Sequence, residues 1–254
     1  MIRIGPAGIG PNGLEGIKEI NKLGLNAAEI EFTHSIYLSN QQAKEIGDIA
    51  KKLDIHLSVH APYFINLSSK EKEKIESSKD RILKSVERAH FLNAKYVIFH
   101  PGFYQNQDKE QVYQIIKDSI LELQEKIRHN GFNVKLAPET TGKLNVFGDL
   151  DETLRLVKET KCHFCIDFAH LYARNQGKIN YKEIFEKLKD FKEIHAHFSG
   201  IEYSSKGEVR HIKVDIEEFK KILKEIPKTK DITIINESPY IIEDAVKMLK
   251  ALKE

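Results

Sequence analysis

The chain has no tryptophan, two cysteines and two methionines in 254 residues. Two thiols exclude the disulfide framework that stabilises small secreted domains. Cys162 and Cys165 form a Cys-x-x-Cys, but a redox pair of that spacing opens a helix. Here the pair runs into Phe164-Cys165-Ile166, where strand alternation sends positions i and i+3 to opposite faces. Ordinary thiols are expected. An excess of one charge is also missing: 40 Lys and Arg against 38 Asp and Glu leave a formal +2. Bulk electrostatics therefore do not mark a polyanion-binding protein, and only a local basic rim is left open. No run approaches the ~20 apolar residues of a membrane span. Strand-like Ile2-Arg3-Ile4 leads straight into Gly5-Pro6, where a signal peptide would have its apolar centre. The expectation is a soluble, cytoplasmic chain with no membrane partner. A Gly-x-Gly-x-x-Gly phosphate turn is absent too, since Gly8-Ile9-Gly10-Pro11 has turn residues without that spacing.

What is present is a steady alternation of short apolar runs and helical patterns. Ile17, Ile20 and Leu23 mark a first helix, and Ala43, Ile46, Ile49, Ala50 and Leu53 a second. Further helices are predicted at about 79–92, 108–129, 149–159, 180–189, 215–225 and 241–253. Asp149 reads as an N-cap and Gly131 as a helix stop. With strands near 2–5 and 28–32, eight β-α units result. Parallel strands covered by helices and repeated eight times predict a (β/α)8 barrel, with residues 1–254 as one domain. The longest stretch outside these elements is about 61–78.

Six of the strands end on metal-ligand residue types. They run His56 to His60, Tyr96 to His100, Val134 to Glu139, Phe164 to Asp167, Ile194 to His197 and Ile232 to Glu237. In a β/α barrel the C-terminal strand ends converge on one mouth. Carboxylates gathered there repel one another unless a cation neutralises them, and His with carboxylate suits zinc or a similar ion. Glu139, Asp167, His197 and Glu237 form one candidate set. His60 and His100 suggest a second ion, with Glu139 bridging as in two-metal phosphoryl-transfer sites. His170, three residues beyond Asp167, and His211 could place a third. The inward positions Ser58 and His195 share faces with His60 and His197, and this polarity departs from the branched apolar filling of barrels. His34, His56, His90, His129 and His163 carry no comparable context.

The set His60-Ala-Pro-Tyr63, His100-Pro-Gly102, Glu139-Thr-Thr, Cys-Ile-Asp167-Phe-Ala-His170, His195-Ala-His197-Phe-Ser, Arg210-His211 and Asn-Glu237-Ser resembles the endonuclease IV family, in order and through most of the chain. It is also similar to the wider xylose-isomerase-like group of sugar isomerases and epimerases. The resemblance implies a zinc-dependent hydrolase on a TIM barrel that cuts DNA at abasic sites. It implies His60, His100 and Glu139 on one zinc. A second would sit among Glu139, Asp167, His197 and Glu237, and a third on His170 and His211. Tyr63 matches a position at which the family inserts a Tyr into DNA, and Phe64 follows as a second wedge.

Two departures stand out. The family's third zinc uses Asp-x-His, whereas this chain has Val209-Arg210-His211, and Val cannot ligate. Two zinc ions are thus expected, and a third depends on a substitute such as Glu208. The family's DNA-probing Arg after strand two is absent, leaving Tyr37 as a different stacking contact. The reading from sequence is a monomeric enzyme, with Glu139 as the catalytic carboxylate and abasic DNA as partner. Tyr37, Tyr63, Phe64 and Arg210 would touch DNA, with Arg174 and Lys206 as further rim cations. The alternatives are a single-metal sugar isomerase or epimerase and a metal-bearing nucleic-acid binder without turnover.

Overall fold

The computed structural model describes residues 1–254. Eight parallel strands form its centre: β1 (Ile2–Pro6), β2 (Ala27–Glu31), β3 (His56–His60), β4 (Tyr96–Phe99), β5 (Lys135–Pro138), β6 (Cys165–Asp167), β7 (Glu193–Phe198) and β10 (Asp231–Asn236). They pair as two parallel halves, β1-β10-β7-β6 and β2-β3-β4-β5. Two seams join the halves. At one, Ala7 bridges Glu29 and the Gly8 amide donates to the Glu29 carbonyl at 2.8 Å; at the other, Glu139 bridges Cys165 and the Thr140 amide donates to the Cys165 carbonyl at 3.0 Å. The result is the TIM barrel expected from the β-α rhythm. The first seam depends on Gly5, because a Cβ there would lie 1.9 Å from the Ala27 carbonyl oxygen.

Helices cover the barrel where apolar periodicity places them. In α1 (Gly13–Lys22) Ile17 and Ile20 are buried; in α2 (Asn40–Lys52) Ala43, Ile46 and Ala50 are buried, and Ser39 and Gln42 form a capping box. α4 (Lys109–His129) is followed by Gly131 at φ 67°, and α5 (Leu150–Thr160) is capped by Asp149. α8 (Ile216–Glu225) and α9 (Ile241–Lys253) complete the cover. No helix is long and apolar enough to cross a membrane.

Three segments differ from the sequence expectation. α3 (Lys72–Phe91) starts well before residue 79, so the loop after β3 is shorter than predicted. Its first turns, Lys72-Glu73-Lys74, are solvated and carry no apolar stripe for periodicity to reveal. A short α6 (Phe168–Arg174) follows β6 directly and precedes α7 (Tyr181–Lys187). An antiparallel hairpin, β8 (Gly200–Ser204) with β9 (Gly207–Ile212), rises where a loop was expected. Its residues are mostly exposed on both faces, so it lacks the one-sided apolar alternation that marks a strand.

The main apolar core lies between strands and helices. Ile30, Val59, Phe99, Leu136, Ile166, Ala196 and Ile234 point into it from successive strands. By alternation their neighbours point inward. Most of those inward neighbours are polar or small, namely Glu29, Ser58, His60, Ala137, Cys165, Asp167, His195 and His197, while Tyr96, Ile98 and Ile235 are the large apolar or aromatic ones; all are buried.

Candidate metal centre at the barrel mouth

Strand ends deliver the ligand-type side chains because a β-α unit turns there. His60 and Asp167 are the last residues of β3 and β6, and His197 is next to last in β7. His100, Glu139 and Glu237 directly follow β4, β5 and β10. Register reinforces this convergence, with His197 beside Asp167 on one side and Ile235 on the other. α6 adds His170: Asp167 caps the helix by accepting from the His170 amide at 2.8 Å, which turns the His170 ring back over the mouth. The hairpin adds His211 from β9.

These side chains form overlapping groups, each offering one donor atom within 4.8 Å of the others: His60, His100 and Glu139; Glu139, Asp167, His197 and Glu237; Asp167, His170 and His211. Glu139 is fully buried and shared. Its Oε2 lies 3.1 Å from Nε2 of both His60 and His100, and its Oε1 lies 3.2 Å from His170 Nδ1 and 3.3 Å from His197 Nδ1. His197 Nδ1 also lies 3.1 Å from Glu237 Oε1. His170 Nε2 faces His211 Nε2 at 3.1 Å.

The electrostatics are those of a concentrated donor set. Burial favours a neutral Glu139, but the imidazoles of His100 and His197 outweigh it and hold the carboxyl well below its usual range. Burial likewise opposes charge on His60, yet Glu31, Glu139 and Glu29 together raise it to about 10. Asp167 moves the other way, pushed up to about 6 mainly by burial. Asp167 Oδ2 is buried and makes no hydrogen bond, although His170 Nδ1 is 3.1 Å away. A buried carboxylate oxygen without a donor, among further carboxylates and imidazoles, is a donor set that fits a divalent cation.

The mouth opens into a cavity of about 760 Å³ whose lining includes His60, His100, His170, His211 and Glu237. Tyr37 and Tyr63 also line it; Tyr63 is 53% exposed, with its ring centroid 5.8 Å from that of His60. Phe64 is exposed just outside, near the His34 ring. Arg210 is an exposed hairpin residue paired with Glu202 at 2.7 Å. Arg174 is not a free rim cation. Its guanidinium donates to the carbonyls of Lys143 at 2.7 Å and Val146 at 3.0 Å, so it fastens the loop after β5. Lys206 is exposed at the hairpin turn.

Two acidic residues at this site were missed from sequence. Glu29 and Glu31 point inward from β2, and the Glu-x-Glu alternation in Ala28-Glu29-Ile30-Glu31, of which only Glu31 is not fully buried, was the available signal. Burial pushes Glu31 up to about 8 against the pull of His60. Glu208, weighed from sequence only as a substitute ligand, sits with Oε2 3.4 Å from His170 Nε2. Gly142 makes this approach feasible, because a Cβ there would lie 2.6 Å from Glu208 Cβ. The five histidines without sequence context stay outside the donor groups. His195 faces Glu29 at 3.0 Å below the mouth and forms a further donor group with Cys165 and His197, as Glu29 and Glu31 do with Glu237.

A barrel with imidazole and carboxylate groups at its C-terminal mouth defines a class of TIM-barrel enzymes, and the comparisons make that class specific. A family profile described as xylose isomerase-like TIM barrel, that of AP endonuclease family 2, matches residues 17–253. An uncharacterized protein of Methanocaldococcus jannaschii is 39% identical over 100% of this chain and 98% of its own length. A probable endonuclease 4 of Mycoplasmopsis pulmonis is 30% identical over 91% of this chain and 90% of its own. The chain belongs to the endonuclease IV family of xylose isomerase-like TIM barrels. Among solved structures, endonuclease IV from Thermus thermophilus superposes with a TM-score of 0.72 at 20% identity, over 99% of this chain and 97% of that one. A D-psicose 3-epimerase superposes with a TM-score of 0.69 at 16% identity, over 96% and 95%. Both likenesses concern the fold.

Proposed function

We propose that this chain is a zinc-dependent phosphodiesterase of the endonuclease IV type that hydrolyses DNA on the 5′ side of abasic sites, acting as a monomer. The observation that carries this reading is the sharing of Glu139 between two donor groups, because a bridging carboxylate is what a multi-ion phosphoryl-transfer site needs. His60, His100 and Glu139 would hold one ion, and Glu139, Asp167, His197 and Glu237 a second. A third would rest on His170 and His211, with Glu208 in place of the ligand that Val209 cannot supply. Bound ions supply Lewis acidity toward a phosphate oxygen and activation of water.

The chain's own residues do the rest. The cavity is large enough to take a nucleotide turned out of the duplex, which a site at barrel depth requires. Tyr63 and Phe64 stand exposed beside that cavity and can stack where a base is missing, and Tyr37 offers a third aromatic edge. Arg210 and Lys206 on the hairpin can meet backbone phosphates, Arg210 after releasing Glu202. Burial pushes Glu31 up while bound cations would pull it down, so it stands at the cavity wall as a further carboxyl group able to hydrogen-bond a sugar hydroxyl.

A second reading, a sugar epimerase with one ion, is favoured by one observation. Glu31 places an additional carboxyl on the wall of the cavity, where a polyhydroxylated substrate would find a hydrogen-bonding and proton-transfer group. Elemental analysis of the purified chain, run beside cleavage of a duplex carrying a single abasic analogue, separates the readings. Two or more zinc ions with incision 5′ to the analogue support the nuclease. A single exchangeable manganese or magnesium, no incision and turnover of a ketose would replace it with the epimerase.

A further inference from the structure

The polar residues inside β3 and β7 have a common partner. Glu29 is wholly buried in β2 between Ala28 and Ile30. It lies beside Ser58 in the β2–β3 register, and its Oε2 accepts from the Ser58 hydroxyl and lies 3.0 Å from His195 Nε2. Its other oxygen, Oε1, lies 2.8 Å from His197 Nε2. Neither atom makes a hydrogen bond as the side chains stand, and both are buried, so this contact is the pairing open to each. The opposite nitrogen of the same ring, Nδ1, faces Glu139 and Glu237 in the mouth.

A neutral imidazole carries one N–H and one lone pair, and the partner of one nitrogen decides the state of the other. A carboxylate only accepts, so Glu29 demands the hydrogen on Nε2 and leaves the Nδ1 lone pair to the mouth. An anionic acceptor also makes the ring a stronger donor to a metal. For stability alone this arrangement is a poor choice, since a buried charge network is matched or bettered by well-packed apolar side chains. Its position directly beneath the four-donor group supplies a different reason for it.

We propose that Glu29 is a positioning residue: held by Ser58 and His195, it fixes His197 as the Nε2–H tautomer and presents Nδ1 to a divalent cation at Glu139, Asp167 and Glu237. This rests on reading that group as a metal centre. The first test uses the zinc-loaded full chain labelled with ¹⁵N-histidine. Two-bond proton–nitrogen correlations should show the His197 ring, assigned by its loss in His197→Gln, protonated at Nε2 and metal-bound at Nδ1. A ring metallated at Nε2 overturns the proposal. The second test measures zinc affinity by competition with a chromophoric chelator. Glu29→Gln should bind zinc about ten- to a hundredfold more weakly, whereas Ser58→Ala, which keeps the charge, should lose less. Wild-type affinity in Glu29→Gln overturns the positioning role and leaves the metal centre standing. A wild-type chain that takes up no zinc removes the metal-centre reading itself. Should Glu29→Gln fail to fold, the tautomer in the wild-type chain decides.

Discussion

Replacing Glu139 by Gln should abolish most of the zinc-dependent stabilisation of this chain. Each carboxylate oxygen faces two imidazoles, Oε2 toward His60 and His100 and Oε1 toward His170 and His197. An ion in either neighbouring donor group would therefore draw on this one residue. A hydrogen bond to a charged group contributes about 1.5–3 kcal/mol. Losing an interaction of that size costs roughly ten- to more than a hundredfold in affinity. At a free zinc concentration of about a hundred times the dissociation constant, binding stabilises the native state by about 2.7 kcal/mol. For a chain of this size that raises Tm by roughly 5–11 °C. If affinity falls a hundredfold, the same zinc concentration supplies only about 0.4 kcal/mol, roughly 1–2 °C. Calorimetry with and without zinc, on wild type and Glu139→Gln, reads this difference directly. Comparing zinc-induced shifts cancels any change in the metal-free stability of the variant. Equal shifts in the two proteins would refute the bridging role. In the nuclease reading, cleavage should disappear with the zinc shift.

Tyr63→Ala should weaken binding to abasic duplex by about 1–3 kcal/mol and leave binding to intact duplex unchanged; titrations of both at one salt concentration check this, and equal losses on the two would show that Tyr63 packs beneath its loop instead of entering a gap. Glu208→Ala and His211→Ala should each lose about one zinc per chain by elemental analysis while retaining the others, and both should be milder than His60→Ala. Loss of all zinc from Glu208→Ala would contradict its place at the rim. His163 supplies a pH test away from the donor groups. Burial pushes it down to about 4, so the unfolded chain takes up a proton that the folded chain refuses. Its contribution is complete above about 6.5 and is lost as pH falls toward 4. Urea unfolding at pH 7 and 4.5 should therefore show wild type losing about 2–3 kcal/mol more than His163→Gln, and parallel losses would rule the assignment out.

Much of this protein was legible in the chain because its information is periodic. Ile17 and Ile20, or Ala43, Ile46 and Ala50, sit at helical spacing and are buried in the helices so marked. Six ligand-type residues end six apolar runs, and β-α rhythm alone brings such ends to one mouth. Where a segment buries no face, the chain is silent. The hairpin from Gly200 to Ile212 and the start of α3 were invisible because mostly solvated or polar-facing residues impose no apolar pattern. The close approach at the first seam was equally hidden: nothing local to Gly5 announces that the Ala27 carbonyl will lie where its Cβ would be. Partnership across the barrel is the property that only the tertiary structure decides. Glu29 reads as one more acidic residue in a strand, Ser58 and His195 as polar residues lacking a reason, and His197 as a ligand with no visible support. They become a network only when β2, β3 and β7 converge, since hydrogen bonds act over about 3 Å and residues 29 and 195 meet only through the closed fold. Glu208 reaches His170 on the same terms, across a gap that Gly142 leaves open.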